Sequence, residues 1–217
     1  MTNKPTLKEL GVKRALSYAN IMDTEHKVLP FTGQWLKALG CPEMGSNWLV
    51  WGLSGSGKTR LLLEIAKYAT TFGRVLYNPL ETGNNYSFKL AYGAVGFADV
   101  KSRITVSDRE PMKTIEKRLD MRKGADILIV DSLPYTRWKS HEYYEFCEKY
   151  KNRMIIFNTH ANGKEPKGKL SEDARYHADI KIRVEGFKAF PLSRYGGEGT
   201  PITIFEKGAR EYWGLDY

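Results

Sequence analysis

Short apolar runs bounded by turn residues recur along the chain and alternate with stretches of helical periodicity. Asn47–Trp51, Arg74–Tyr77, Ile104–Val106, Asp126–Val130 and Met154–Phe157 read as buried strands. Helices are predicted between them, near Lys58–Tyr68, Pro111–Arg122 and Ser140–Tyr150. This alternation predicts an α/β fold with a mainly parallel sheet, flanked by helices on both faces and joined by right-handed crossovers. From Ile180 the pattern changes: Ile180–Val184, Phe187–Pro191 and Ile202–Phe205 are short strands without intervening helices, which predicts antiparallel hairpins at the C-terminal end of the sheet. At the other end Val12, Ala15, Leu16 and Ala19 recur at i, i+3, i+4, i+7, so an amphipathic helix is expected there, packed on its own core or on a neighbouring subunit. Tyr143, Phe146, Cys147 and Tyr150 show the same spacing and read as a core face, with Cys147 as a buried thiol.

Composition narrows the class. The 217 residues suit one domain, and no repeat, low-complexity tract or long linker divides them. Thirty-four Lys and Arg against 25 Asp and Glu leave a net charge of +9, a balance that favours polyanions such as nucleic acids or nucleotides. The longest apolar stretches, such as Trp48–Trp51 and Ile127–Val130, fall far short of the roughly 20 residues of a membrane span. Met1–Lys8 shows no apolar signal block, and a cytoplasmic location is expected. Cys41 and Cys147 lack ligand-type spacing, which excludes a disulfide framework and a cysteine zinc site.

The strongest chemical signal is Gly52-Leu-Ser-Gly-Ser-Gly57-Lys58-Thr59, which satisfies G-x-x-x-x-G-K-[ST] between a predicted strand and a predicted helix. Its glycines let backbone N–H groups turn inward toward phosphate oxygens, at the positive end of the following helix. Gly52, Ser54, Gly55, Ser56, Gly57, Lys58, Thr59 and Arg60 are therefore the candidate nucleotide-binding residues, with Lys58 on the β and γ phosphates and Thr59 on Mg²⁺. Asp131 closes an apolar strand where the second magnesium-holding group is expected. No Asn/Thr-Lys-x-Asp signature of guanine recognition follows the later strands, which favours ATP. Asp131 is followed by Ser132 rather than glutamate, so the general base is sought elsewhere. Glu81, at the end of Val75-Leu-Tyr-Asn-Pro-Leu, is the candidate.

A glutamate after the strand that follows the phosphate-loop helix resembles the RecA-like division of P-loop ATPases, including DnaB-type helicase cores. The resemblance covers nearly the whole chain and divides it into an N-terminal helix and connecting segment, residues 1–30, and a RecA-like ATPase core, residues 31–217. Phe31-Thr-Gly33, Leu36 and Leu39-Gly40 resemble the segment that leads into such cores. His160, closing Met154–Thr159, stands where relatives keep a γ-phosphate sensor. Arg194 and Gly196 match the Lys-x-Arg-x-Gly hairpin whose cations reach a neighbouring subunit's ATP, although Leu192 stands in the lysine's place. The resemblance thus implies a homo-oligomer, ring or filament, with Arg194 acting in trans. The short core is most similar to phage-encoded proteins associated with single-strand annealing and recombination, and Pro166-Lys-Gly-Lys-Leu-Ser, ahead of a predicted helix, resembles their corresponding stretch. A phage-encoded chain would act in the host cytoplasm.

RecA-like proteins bind DNA with loops after the third and fourth core strands. Tyr135, Arg137, Trp138 and Lys139 after Asp131 offer aromatic faces for bases and cations for phosphates. Lys164, Lys167 and Lys169 after His160 form a basic loop expected to be flexible. The sequence is therefore expected to encode a Mg²⁺-dependent, DNA-stimulated ATPase that binds single-stranded DNA in recombination, annealing or replication. A helicase motor reduced to its core, a small-molecule or nucleoside kinase and a nucleotide-gated scaffold are the rival readings.

Overall fold

The structure, a computed structural model, describes residue 6 and residues 9–214. The stretch Met1–Lys8 read for a signal lies outside the described residues apart from Thr6, as do the last three residues of the expected core. The strands are β1 (Asn47–Gly52), β2 (Val75–Asn78), β3 (Ile104–Val106), β4 (Ile127–Val130), β5 (Met154–Asn162), β6 (Glu165–Pro166), β7 (Ile180–Glu185), β8 (Lys188–Ser193) and β9 (Ile202–Thr203). The helices are α1 (Tyr18–Met22), α2 (Gly33–Leu39), α3 (Lys58–Ala69), α4 (Tyr86–Val95), α5 (Met112–Leu119), α6 (Ser140–Lys149), α7 (Lys169–His177) and α8 (Glu206–Trp213).

The sheet runs β3-β2-β4-β5-β1-β7-β8-β9, parallel from β3 to β7 and antiparallel at β8 and β9. The predicted parallel sheet with C-terminal antiparallel hairpins is thus the observed one. The strand that carries the phosphate loop, β1, is not a neighbour of the strand that carries Asp131, β4, because β5 is inserted between them.

The alternation along each strand builds two cores. Trp48 and Val50 of β1, Tyr77 of β2, Ile129 of β4 and Ile156 of β5 face the layer containing Leu61, Leu62 and Ile65 of α3. Leu49, Trp51, Leu76, Leu128, Val130, Ile155 and Phe157 point to the other side, against Ile115 and Leu119 of α5 and Tyr143, Phe146 and Cys147 of α6. Each fully buried aliphatic side chain stabilises the fold by about 1.5–3 kcal/mol. The buried Cys147 thiol is pushed up to about 12 by its apolar surroundings, as expected of an inert core cysteine.

Two expectations are corrected. The helix expected over Val12–Ala19 is replaced by the five-residue α1, which starts only after Ser17 and has no buried residue. Ser17 accepts a hydrogen bond from the Asn20 amide while its own amide donates to Asn20 Oδ1, and this reciprocal cap fixes the start at that point. Val12, Leu16, Tyr18, Ile21 and Met22 are exposed. In addition, the strand expected over Ile202–Phe205 stops at Thr203, because Phe205 takes the N-cap position of α8, a helix the apolar pattern did not reveal.

Candidate nucleotide site

The carboxyl ends of β1, β2, β4 and β5 converge on one cleft of about 310 Å³, lined by Ser54, Gly55, Gly57, Lys58, Thr59 and Arg60 of the loop and by Glu81, Asp131 and His160. The loop is possible because Gly55 and Gly57 adopt φ of +75° and +102°, a left-handed region costly for side-chain-bearing residues. Gly57 then caps α3, so the first turn of that helix points its N–H groups into the cleft. Gly52 ends β1, and Ser56 lies buried on the loop.

Lys58 is 8% exposed, and its Nζ donates to the carbonyls of Gly52 and Leu53 at 2.9 and 2.8 Å. Burial lowers its pKa, while the charges of Asp131 and Glu81 oppose that shift. The ammonium is thus held at the mouth of the loop, where phosphate oxygens are better acceptors than two backbone carbonyls.

Asp131 is 3% exposed. Tyr77 Oη donates to its Oδ2 at 2.8 Å, Thr59 Oγ1 donates to the same oxygen at 3.3 Å, and Asn158 Nδ2 donates to Oδ1. Burial raises the carboxyl's pKa, and the bonds from Asn158, Tyr77 and Thr59 pull it back. The donor set suits Mg²⁺: one hydroxyl and one carboxylate, both hard oxygens, suffice for an ion that keeps several waters and completes its shell with phosphates. Asn158 also leaves its Oδ1 buried without a donor at the same cleft, an acceptor of the kind a metal-bound water satisfies. No cluster of three or more His, Cys, Asp or Glu that would cage a metal occurs among the described residues.

Glu81 reaches the cleft from the loop after β2. Its amide donates to the Asp131 carbonyl at 2.9 Å, and its Oε2 accepts from Ser132 Oγ at 2.9 Å and lies 3.3 Å from His160 Nε2. The carboxylate therefore stands beside the phosphate loop with its orientation held from two sides. His160 belongs to β5, and its own carbonyl accepts the Lys167 amide at 2.8 Å. Tyr77, Ser132 and Asn158 were missed by sequence reading. The only signal was a polar residue directly after an apolar run, which Asn158, inside β5, shares with the ends of many strands.

Arg194 is not brought to this cleft. Its amide donates to the Asp179 carbonyl and its guanidinium pairs with Asp179 Oδ1 at 3.1 Å, and Asp179 also holds the amide of Asn47, the first residue of β1. Arg194 is therefore at the amino edge of the sheet, one strand length, about 17–20 Å, from the loop of its own chain.

The candidate DNA residues lie in unlike surroundings. Tyr135, Arg137 and Lys139 are exposed, whereas Trp138 is half-buried and packs against Phe146 and Phe157 of the second core, with ring centroids 4.9 and 6.4 Å away. The expected flexible loop is a tight hairpin, with Ala161 and Asn162 paired to Pro166 and Glu165. Its tip is fixed by Trp51 Nε1, which donates to the Lys164 carbonyl at 2.9 Å. Lys164, Lys167 and Lys169 are all exposed, and Lys169, which opens α7, pairs with Asp173 at 2.7 Å. Because β4 and β5 are neighbours, both basic segments share the carboxyl edge beside the cleft.

No helix among the described residues is long and apolar enough to cross a membrane. No family model matches the chain, and no curated protein does. Among solved structures, the chain resembles the flagellar accessory protein FlaH from Methanocaldococcus jannaschii, with a TM-score of 0.59 and 15% identity over 81% of this chain and 90% of that one. It also resembles a KaiC-like protein from the hyperthermophilic archaeon Pyrococcus horikoshii OT3, with a TM-score of 0.54 and 17% identity over 79% and 87%. These likenesses and the sheet order establish a P-loop NTPase fold of the RecA-like kind.

Proposed function

We propose that the chain is a Mg²⁺-dependent ATPase that binds single-stranded DNA and assembles with copies of itself, serving recombination, annealing or replication. The observation that carries the ATPase reading is the convergence of Lys58, Thr59, Asp131, Glu81 and His160, from four strands, on one cleft. Thr59 and Asp131 would hold Mg²⁺, which supplies charge neutralisation on the β and γ phosphates. Glu81 orients the attacking water and takes its proton as the water oxygen bonds to the γ-phosphorus and the bond to the ADP oxygen breaks. Lys58 neutralises charge on the transferred group, and His160 contacts the same group from β5.

Support for DNA binding is the juxtaposition of exposed Tyr135, Arg137, Lys139, Lys164 and Lys167 along one edge of a chain of net charge +9. Self-association is supported by the exposed apolar residues of the N-terminal arm and by the place of Arg194, which can complete an ATP site only in another copy. ATP turnover measured with and without a single-stranded oligonucleotide tests the reading. Stimulation by the oligonucleotide is expected. Turnover that requires a small phosphoryl acceptor instead would replace the proposal with a kinase.

A further inference from the structure

Glu81 is followed by Thr82-Gly83-Asn84-Asn85, and this segment is gripped from outside by two exposed charged residues that line no part of the nucleotide cleft. Asp108 Oδ1 accepts the Asn84 amide at 2.9 Å, and Arg109 Nη2 donates to the Thr82 carbonyl at 2.8 Å. Between them Gly83 turns with φ +64°, its amide bonded to the Pro79 carbonyl at 2.7 Å. A side chain at Gly83 would meet Arg109 Nε and Asp108 Oδ1, each 2.7 Å from the position of its Cβ. The grip is itself anchored. Ser107 donates its amide to the Tyr77 carbonyl and its Oγ to Asn78 Oδ1, each at 2.9 Å, and Asn78 Nδ2 donates to the Glu110 carbonyl at 2.9 Å. Arg109 holds φ 51°, a left-handed conformation that is uncommon for a residue with a long side chain and that concentrates at functional segments.

Exposed charges of this kind add little to global stability. Their effect here is geometric, because both bonds end on the backbone one and three residues beyond the proposed general base.

We propose that Asp108 and Arg109 are positioning residues that hold the Glu81 loop in the geometry hydrolysis requires, a proposal that rests on the ATPase reading above. Ser132 and His160 fix the Glu81 carboxylate from the cleft side, and the Asp108–Arg109 clamp fixes the backbone from the opposite side. Releasing the clamp lets the carboxylate drift, and a displacement of about 1 Å lowers turnover by up to about a hundredfold. Nucleotide affinity, which resides in the phosphate loop, is untouched by such a drift.

The test uses the full chain and compares Asp108→Ala, Arg109→Ala and Asp108→Asn for kcat, KM for ATP, melting temperature and amide hydrogen exchange over residues 82–85. Each alanine variant is expected to lose about tenfold in kcat with KM and melting temperature unchanged, and to exchange faster at the Asn84 amide. Asp108→Asn keeps an acceptor oxygen and is expected to restore both. In a Glu81→Gln background, Asp108→Ala should lower kcat no further. Unchanged kcat and exchange in both alanine variants would overturn the proposal, as would an Asp108→Asn chain as impaired as Asp108→Ala, or losses that track the melting temperature. A wild-type chain without turnover overturns the ATPase reading instead, and the exchange rates then decide alone whether the clamp holds the loop.

Discussion

Asp131 and Lys164 lie beyond the ends of neighbouring strands, yet their surroundings have opposite physics. Asp131 is buried and accepts hydrogen bonds from Tyr77, Thr59 and Asn158, so its position is over-determined. The Lys164 side chain is exposed on a hairpin held through its backbone. The cleft is set for one ligand geometry by packing, whereas the basic edge offers charge without fixing where each charge lies. Under the proposed function, the first would place a phosphorus atom and the second would accept any sequence of bases.

The largest effect that would test this contrast is at Lys58. Lys58→Ala is expected to lower ATP turnover by about a hundred- to a thousandfold, as loss of a charge-stabilising donor does in other sites, with the circular dichroism spectrum unchanged. Native turnover would remove the cleft from the chemistry. Glu81→Gln keeps shape and loses the base, so turnover is expected to fall about a hundredfold while a fluorescent ATP analogue still binds in the presence of Mg²⁺.

The aromatic pair beyond β4 sharpens the comparison. Trp138→Ala removes a core contact and is expected to cost about 2–3 kcal/mol of stability in denaturant titration. Tyr135→Ala should shift stability by less than about 0.5 kcal/mol and instead weaken single-strand binding, by about 1–3 kcal/mol if one base stacks there.

Asp131 gives a pH signature. Its carboxyl pKa is raised in the fold, chiefly by burial, so the folded chain holds this proton more tightly than the unfolded one. Stability from the neutral form is therefore complete below the unfolded pKa of about 3.9 and is lost as pH rises through the raised folded value. Asp131→Asn abolishes that loss. Its melting temperature in Mg²⁺-free buffer, relative to wild type, should increase between pH 4 and pH 7, while Mg²⁺ should raise the melting temperature of the wild type alone. The smallest effect is expected on the basic edge. Lys164→Ala with Lys167→Ala should reduce the slope of log affinity against log salt by about 0.7 per lost phosphate contact, measured by fluorescence anisotropy.

That the phosphate loop, Asp131 and Glu81 would meet at one cleft was legible because each follows an unbroken apolar strand of one parallel sheet. Less was legible where partners come from distant parts of the chain. Tyr77 reads as one more apolar strand residue, and nothing local shows that its hydroxyl meets Asp131 across 54 residues. α4 went unread because Tyr86–Val95 is apolar on several sides and holds Gly93, although Asn85 does cap it through the Phe88 amide. The periodicity over Val12–Ala19 is real, but an amphipathic pattern predicts a helix only where something covers its apolar face. Trp138 is ambiguous in sequence because an aromatic between cations looks alike whether it faces bases or, as its ring does here, Phe146.

The strand inserted between β1 and β4 works as a ruler. Two inter-strand steps separate those strands by about 9–10 Å, and the width of the cleft's floor is therefore set by backbone pairing rather than by any side chain. Substitutions can alter what lines this cleft, but its span is a property of the topology. A chain that lost β5 from the sheet would close the gap by one strand width even with Lys58, Glu81 and Asp131 all retained.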